Sequence, residues 1–518
     1  MSKGKKILAV LLTAIMTVAM VVTAFAAGTD VPKETDGAEV KVTNVEKDAT
    51  VTAYQIIKAN YTSAGFTGYS AVSGVTISNL LAPTSDEITA IAKSDLSVLK
   101  SVSMKTTDTT KLATFKANLN AGSWLVLVTG DVKEVYNPML VSVYYTVDGM
   151  VAGSVDANTN WTLVTQDAYA KSTAPTIDKT IVGGVGKEDV SIGDTVNFQI
   201  QTAIPSYSKQ YTEVEVKVLD ELSQGLTLNQ ESFGVKVGDN TVGASDETYT
   251  ITKLRADGFE ISFHSAYALA NSGKSIVVTY SAVLNENAGI NFDANTNTAT
   301  LTYTNDPKGT TKEVKDRTYT YTFGIDANLN GSSSEVWNKI TQELIKGEMV
   351  KETVEGEEKE VFKPLAGATF TLTSNTTPAK VYTAISDMNG ALTFTGLDAG
   401  EYTLVETKAP AGYSVNTTQI PVVISAKYNE DGTLKSYSIK VDGKATSTYE
   451  ATYEGDTIVN KTVTVVTSDS NITQIQNTKI SALPSTGGIG TTIFTAAGCL
   501  IMICAAAFLF ASRRRFSK

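Results

Sequence analysis

Along most of the chain, polar and apolar positions alternate in short runs with a period of two. Examples are Thr195-Val196-Asn197-Phe198-Gln199-Ile200, Ser275-Ile276-Val277-Val278-Thr279-Tyr280 and Thr318-Tyr319-Thr320-Tyr321-Thr322-Phe323. Each run is rich in β-branched and aromatic residues, and Gly, Asn and Asp punctuate the intervals. That combination predicts antiparallel strands packed as sandwiches. Helical periodicity is scarce. Its best instance is 85–99, where Asp86-Glu87 suit a first turn and Ile88, Ile91 and Leu96 give a partial apolar stripe.

The pattern changes at both ends. Lys3, Lys5 and Lys6 precede an uncharged apolar run over 7–22, and Ala24-Phe25-Ala26 follows. A basic stretch, a short apolar stretch and small residues at a cleavage point make 1–26 a signal peptide. Residues 489–511 carry no charge and are long enough to cross a bilayer as a helix. Arg513, Arg514 and Arg515 come next, and such clusters stay on the cytoplasmic side. The body between the two ends is therefore expected outside the cell. It reads as three segments, 27–172, 173–326 and 327–482, the last closing in a Thr/Ser/Asn-rich stretch. The second and third could share a sandwich plan. Residues 346–363 are charge-rich and read as a solvated hairpin or loop.

Composition narrows the chemistry. Of 518 residues, 42% are hydrophobic and 19% charged, so the chain has the material for cores. A net charge of −11 argues against a nucleic-acid partner. The single histidine, His264, lies in a run that reads as strand. One histidine nearly excludes Ser-His or Cys-His catalysis and excludes a multi-histidine metal centre. Both cysteines, Cys499 and Cys504, sit in the apolar C-terminal stretch, so the body has no disulfide and needs packing or another covalent device. Two loops imitate binding motifs without completing them. Asp326, Asn328, Asn330 and Gly331 open like a calcium loop, but Trp337 stands where the bidentate Glu is required, so a turn is expected. Gly183-Gly184-Val185-Gly186-Lys187 has the wrong spacing for a phosphate loop, and Glu188 replaces the Ser/Thr, so it reads as a flexible hairpin. No metal or cofactor is expected.

Before the apolar helix stands Leu483-Pro484-Ser485-Thr486-Gly487. This motif, the helix and the arginine cluster together resemble the LPxTG sorting signal of Gram-positive surface proteins. The resemblance implies that a sortase cysteine attacks the Thr486 carbonyl, that Gly487 onward leaves, and that Thr486 passes to an amine. Pro484 restricts Leu483 to extended backbone, the form a groove reads.

Glu401-Tyr402-Thr403-Leu404-Val405-Glu406-Thr407-Lys408-Ala409-Pro410-Ala411-Gly412-Tyr413, with Pro364-Leu365-Ala366-Gly367-Ala368-Thr369-Phe370 upstream, resembles the E-box of Gram-positive pilins within a collagen-adhesin B-type domain. Asp387-Met388-Asn389-Gly390 reads as a hairpin turn between them. The implied fold is all-β: three tandem immunoglobulin-like or collagen-adhesin-type sandwiches, with the sorting signal, helix and tail over 483–518. In that family an internal amide joins a lysine to an asparagine beside an assisting carboxyl. For the third segment the resemblance implies Glu406 as the acid, Asn477 as the acceptor with Asn460 as alternative, and Lys339 as the amine with Lys346 as alternative. The family's lysine usually comes soon after a strand like 321–326, where this chain has Leu329 and Asn330. For the second, Pro175-Thr176-Ile177-Asp178-Lys179, Val218-Leu219-Asp220 and Asn297-Thr298-Ala299 resemble the strands that bear the three groups. They imply a Lys179–Asn297 bond assisted by Asp220, with Glu260 and Asn305 as alternates. Val51–Ile57 and Tyr136-Asn137-Pro138-Met139 resemble the N-terminal pilin domain, where no such set stands out.

Trp161 followed by Tyr169-Ala170-Lys171 resembles the pilin motif, with Ala170 in place of its usual proline and a spacing one residue longer. It implies that Lys171 receives Thr486 of the next subunit. The expectation is a structural backbone subunit of a covalent pilus and not an enzyme, its only chemistry being internal amide formation. Implied partners are a class C-type pilus sortase, the housekeeping sortase, copies of itself, accessory pilins, peptidoglycan and host or surface ligands. The alternatives are an accessory pilin, a wall-anchored adhesin that never polymerises and, from another class, an anchored two-carboxylate glycosidase.

Overall fold

The computed structural model describes residues 30–183, 188–307, 309–325, 344–354, 356–465, 473–480 and 489–515. Two compact units emerge, Met1–Thr322 with Tyr428–Thr433, and Phe323–Lys427 with Leu434–Lys518.

The first unit holds two sandwiches. In the N-terminal one, a three-stranded sheet has the order Ala168–Tyr169, Gly37–Glu46, Leu112–Asn120. Its partner sheet is built around Ala49–Thr62, Gly122–Gly130, Met139–Val147 and Thr162–Gln166. Alternation does the sorting: Ala38, Val40 and Val42 face inward, together with Phe115, Trp124, Val126 and Tyr145. The alternation slips at Asn44, whose φ of 66° marks a bulge that returns Val45 to the core. The helix runs over Ser85–Lys93, where Thr84 and Glu87 form a reciprocal capping box. Its Ile88 and Ile91 pack on Ile56, Ile57 and Leu125.

In the second sandwich, one sheet runs Asp178–Ile181, Thr195–Ala203, Ser275–Leu284, Gly234–Val237, Asn240–Thr241. The other runs Tyr249–Arg255, Gly258–Phe263, Val216–Leu222, Asn295–Thr304, Thr311–Thr320. Phe198, Ile200, Val218, Phe259, Val278 and Leu301 fill the space between. The stretch over 131–136 of the N-terminal sandwich docks here. Val135 joins this core, and the carbonyls of Val132 and Tyr136 accept from Asn305 Nδ2 (3.0 Å) and Gln210 Nε2 (3.3 Å).

The second unit contains a seven-stranded sheet and a three-stranded one ordered Glu357–Pro364, Leu344–Val354, Thr473–Gln476. The helix Ile489–Arg515 includes an 18-residue stretch, Ile493–Phe510, apolar enough to cross a membrane.

Several expectations need correction. The run over 318–323 is not one strand: Thr311–Thr320 ends in one unit and Phe323–Ile325 begins the other, pairing with Phe394–Leu397. His264 follows the strand Gly258–Phe263 and caps the helix Ser265–Ala270 by backbone, with Ala268 N donating to its carbonyl at 2.9 Å. Residues 387–390 do form a tight turn, closed by Gly390 N on the Asp387 carbonyl (3.0 Å), but the strands on either side enter different sheets. The charge-rich 346–363 stretch is a hairpin whose base is dry, because Lys346 is fully buried. The calcium-like loop lies outside the described residues, as does 184–187 of the glycine-rich one.

Trp124 is fully buried and its indole N–H reaches the Asn120 carbonyl at 3.0 Å. Trp124→Ala should cost about 3–5 kcal/mol, read as a lower urea midpoint for the first unit. An unchanged midpoint would contradict this core.

Candidate functional site

Lysine rarely goes underground, because taking an ammonium out of water costs several kcal/mol unless it is paired or gives up its proton. Among the described residues two lysines are buried, Lys179 (4% exposed) and Lys346 (0%). Each touches a buried carboxyl and shares a hydrogen-bonded cluster with a buried asparagine.

At the first site, inward parity on Asp178–Ile181 turns Lys179 and Ile181 to the core. The same sheet supplies Tyr280, which sits opposite Phe198 across the strand pair. The facing sheet supplies Asp220 and Asn297 from neighbouring strands. Lys179 Nζ donates to both Asp220 Oδ2 and the Tyr280 hydroxyl, and Asn297 Nδ2 donates to that hydroxyl at 3.0 Å. The amine lies 5.3 Å from the Phe198 ring centroid and 5.0 Å from that of Tyr280. Burial pushes the Lys179 amine below and the Asp220 carboxyl above their ordinary values, and the attraction between them only partly offsets this. The Tyr280 phenol is pushed well above its ordinary value, again mainly by burial. Asp220 Oδ1 and Asn297 Oδ1 are both buried acceptors without a donor. A proton carried on the Asp220 carboxyl supplies the donor this pair lacks.

At the second site, Lys346 lies beside Ile475 on parallel neighbouring strands, and Asn477 follows immediately, with its N–H on the Gly347 carbonyl at 3.1 Å. Lys346 Nζ donates to Asn477 Oδ1 and is 3.3 Å from Glu406 Oε1. Asn477 Nδ2 donates to that same Glu406 oxygen at 3.0 Å, and the Asn416 N–H fixes Glu406 Oε2 at 2.6 Å. Phe370, opposite Glu406 in its sheet, has its ring centroid 5.6 Å from the amine. Desolvation lowers the Lys346 amine's proton affinity. Gly390 makes the strand placement feasible: at φ 74° its carbonyl accepts from the Lys346 N–H at 2.7 Å, and a Cβ there would come within 2.3 Å of the Lys346 carbonyl oxygen.

Lys339 lies outside the described residues, and the lysine brought to Glu406 and Asn477 is Lys346. Charge-rich surroundings masked it in the sequence, although Leu344 and Lys346 share inward parity. Among the alternates, Glu260 pairs with exposed Lys253 at 2.6 Å, Asn305 is committed to Val132 and Thr310, and Asn460 is exposed. Tyr280 and Phe370 were missed; their inward parity within alternating strands was the available signal.

Lys171 is exposed, but its backbone is held on both sides. Ala170 is fully buried, its N–H donates to the Thr43 carbonyl at 2.9 Å, and its carbonyl accepts from Asn44 Nδ2 at 2.9 Å. A proline at 170 would forfeit the first of these bonds. Asn137 N donates to the Lys171 carbonyl at 3.3 Å, and Ser172 pairs with Tyr136. Leu483, Pro484, Ser485, Thr486 and Gly487 lie outside the described residues.

Comparison with known families matches four stretches. Residues 35–172 match a T6 antigen Ig-like domain, and 192–307 a Gram-positive pilin backbone subunit 2, Cna-B-like domain. Residues 353–442 match a prealbumin-like fold domain, and 475–515 the LPXTG cell wall anchor motif. The trypsin-resistant surface T6 protein of Streptococcus pyogenes serotype M6 is 29% identical, over 93% of this chain and 95% of that protein. The solved T6 backbone pilin of serotype M6 Streptococcus pyogenes shares the fold, with a TM-score of 0.59, 22% identity, and coverage of 87% of this chain and 100% of that one.

Asp220→Ala should strand the Lys179 amine in an apolar pocket and cost about 3–5 kcal/mol. The check is the denaturant midpoint of the first unit; a midpoint equal to wild type would contradict the buried pair.

Proposed function

We propose that this chain, which belongs to the backbone pilins of Gram-positive bacteria, is joined head to tail by a sortase through Thr486 and Lys171 and braced by two internal amides. It is a cell-surface protein anchored to the wall. The observation that carries the internal part is the coincidence of burial and chemistry: both buried lysines among the described residues touch a buried carboxyl, and each shares its cluster with a buried asparagine, Asn477 directly on Lys346 and Asn297 joined to Lys179 through the Tyr280 hydroxyl.

The chemistry follows from the desolvation. With its proton affinity lowered, Lys179 presents a lone pair to the Asn297 side-chain carbonyl carbon, while Asp220, holding a proton, donates to the amide oxygen as negative charge develops there. The new C–N bond forms, the old C–N bond breaks, and ammonia departs with one proton from Nζ. Lys346, Asn477 and Glu406 form the corresponding set in the second unit. No activating enzyme is required, because water is excluded and the reacting groups are held in one buried cluster.

The two bonds serve tension. Lys179–Asn297 joins opposite sheets, from the first strand of its sandwich to the next-to-last, and Lys346–Asn477 joins parallel neighbours. Force along the fibre then runs through covalent bonds and spares the sheet hydrogen bonds, a role that disulfides cannot fill here.

Between subunits, the LPSTG segment is the acyl donor. A sortase thiolate takes the Thr486 carbonyl, releases Gly487 onward with the membrane helix, and yields Thr486 to the Lys171 amine of another copy. The exposed side chain on a backbone tied to Asn44 and Asn137 supports Lys171 as acceptor, since an amine offered to an enzyme groove needs access on a fixed base. A class C-type pilus sortase suits the polymerising step. A housekeeping sortase transferring the last Thr486 to peptidoglycan suits the anchoring step, and accessory pilins complete the fibre.

Lys171→Arg, expressed with its cognate sortase, should abolish the ladder of high-mass polymers on reducing detergent gels while leaving wall attachment through Thr486 intact. Undiminished ladders would contradict Lys171 as the acceptor and return the chain to the class of single-copy adhesins.

A further inference from the structure

The two buried sites solve the same proton problem with different parts. Amide formation must carry a proton away from the attacking Nζ and deliver one to the departing Nδ2. At Lys346 one carboxyl oxygen spans both nitrogens: Glu406 Oε1 is 3.3 Å from Nζ and 3.0 Å from Nδ2. At Lys179 the acid is aspartate, one methylene shorter. Asp220 Oδ2 takes the lysine, and the asparagine nitrogen is held by the Tyr280 hydroxyl at 3.0 Å. That hydroxyl also accepts from Lys179 Nζ, and it lies beside Asp220. It is therefore the atom that touches the nucleophile, the leaving group and the acid together. The aromatic ring beside Lys346 is Phe370, which has no hydroxyl to offer.

Building on the Lys179–Asn297 bond proposed above, we propose that Tyr280 is a catalytic residue of its formation, relaying the proton from Lys179 Nζ to Asn297 Nδ2. As Nζ bonds to the Asn297 carbon, it becomes ammonium-like and gives a proton to the Tyr280 oxygen. The phenol proton passes to Nδ2, which gains a lone pair as the tetrahedral intermediate forms. The C–Nδ2 bond breaks, ammonia leaves, and the phenol is restored. One proton enters the oxygen and one leaves it, so no co-reactant is needed. Tyr280 packs 5.5 Å from Phe198 and 4.9 Å from Phe259, ring centroid to centroid, which holds the hydroxyl on line.

The test is a time course of ammonia loss in the newly synthesised full chain, quenched in acid and read by intact mass and peptide mapping. Each bond lightens the chain by about 17 Da. Three chains are compared: wild type, Tyr280→Phe, which keeps the ring, and Leu301→Ala, which disturbs the core of the same sandwich but keeps the hydroxyl and the rings around it. Tyr280→Phe should slow the Lys179–Asn297 step by about 100-fold, the scale of a general acid–base group, with the Lys346–Asn477 step at its wild-type rate. Leu301→Ala should stay within a few fold of wild type. Wild-type kinetics in Tyr280→Phe would overturn the relay. So would equal slowing in both variants, or a Lys346–Asn477 step that fails along with it, since either assigns Tyr280 to packing. A wild-type chain whose Lys179 and Asn297 peptides remain linear would instead defeat the cross-link on which the relay rests.

Discussion

The structure turns on the cost of burying an amine. An ammonium in an apolar core is unstable, so a fold that buries two of them must answer for each with a neighbouring charge, a lost proton or a covalent bond. Around Lys179 and Lys346 the answer is built from opposite sheets. The carboxyl and the lysine arrive from different layers in both units, so neither site exists until the sandwich closes. In the proposed function folding and chemistry are thereby ordered in time: packing excludes water, and desolvation lowers the proton affinity of both amines, which makes them nucleophiles.

The proposed cross-links would also stand in for disulfides in this chain. Its cysteines are confined to the apolar C-terminal helix, and the sandwiches have only hydrogen-bonded strands and packed side chains to resist pulling. A cross-link made from lysine and asparagine needs no oxidant and, once made, no reductant undoes it. In the proposed assembly the same pairing of amine and acyl carbon recurs between subunits, with a sortase supplying the activation that burial supplies inside. In that proposal burial suits the internal lysines because they react alone, and exposure suits Lys171 because its partner must be brought to it.

Much of this is legible in the residues. Period-two alternation locates the strands, and the capping pair Thr84 and Glu87 marks the helix at Ser85–Lys93. Lys179, Asp220 and Asn297 stand in strand segments that a pilin resemblance singles out, and the fold brings the three together. What stays hidden is tertiary. Lys346 sits among exposed charges in the sequence, and nothing local says that Gly390 will let a turn close over its backbone. The break at Tyr321–Thr322 is hidden too, because the alternation continues through the point where the chain changes unit. Tyr280 reads as one more inward aromatic, since its importance lies in which atoms meet its hydroxyl from the other sheet.

The most direct test of the central claim is peptide mapping of the chain isolated from native wall material, digested under reducing conditions. Branched peptides joining Lys179 to Asn297 and Lys346 to Asn477, each lighter by one ammonia than the sum of its parts, are the predicted result. Linear peptides carrying unmodified Lys179, Asn297, Lys346 and Asn477 would contradict the account.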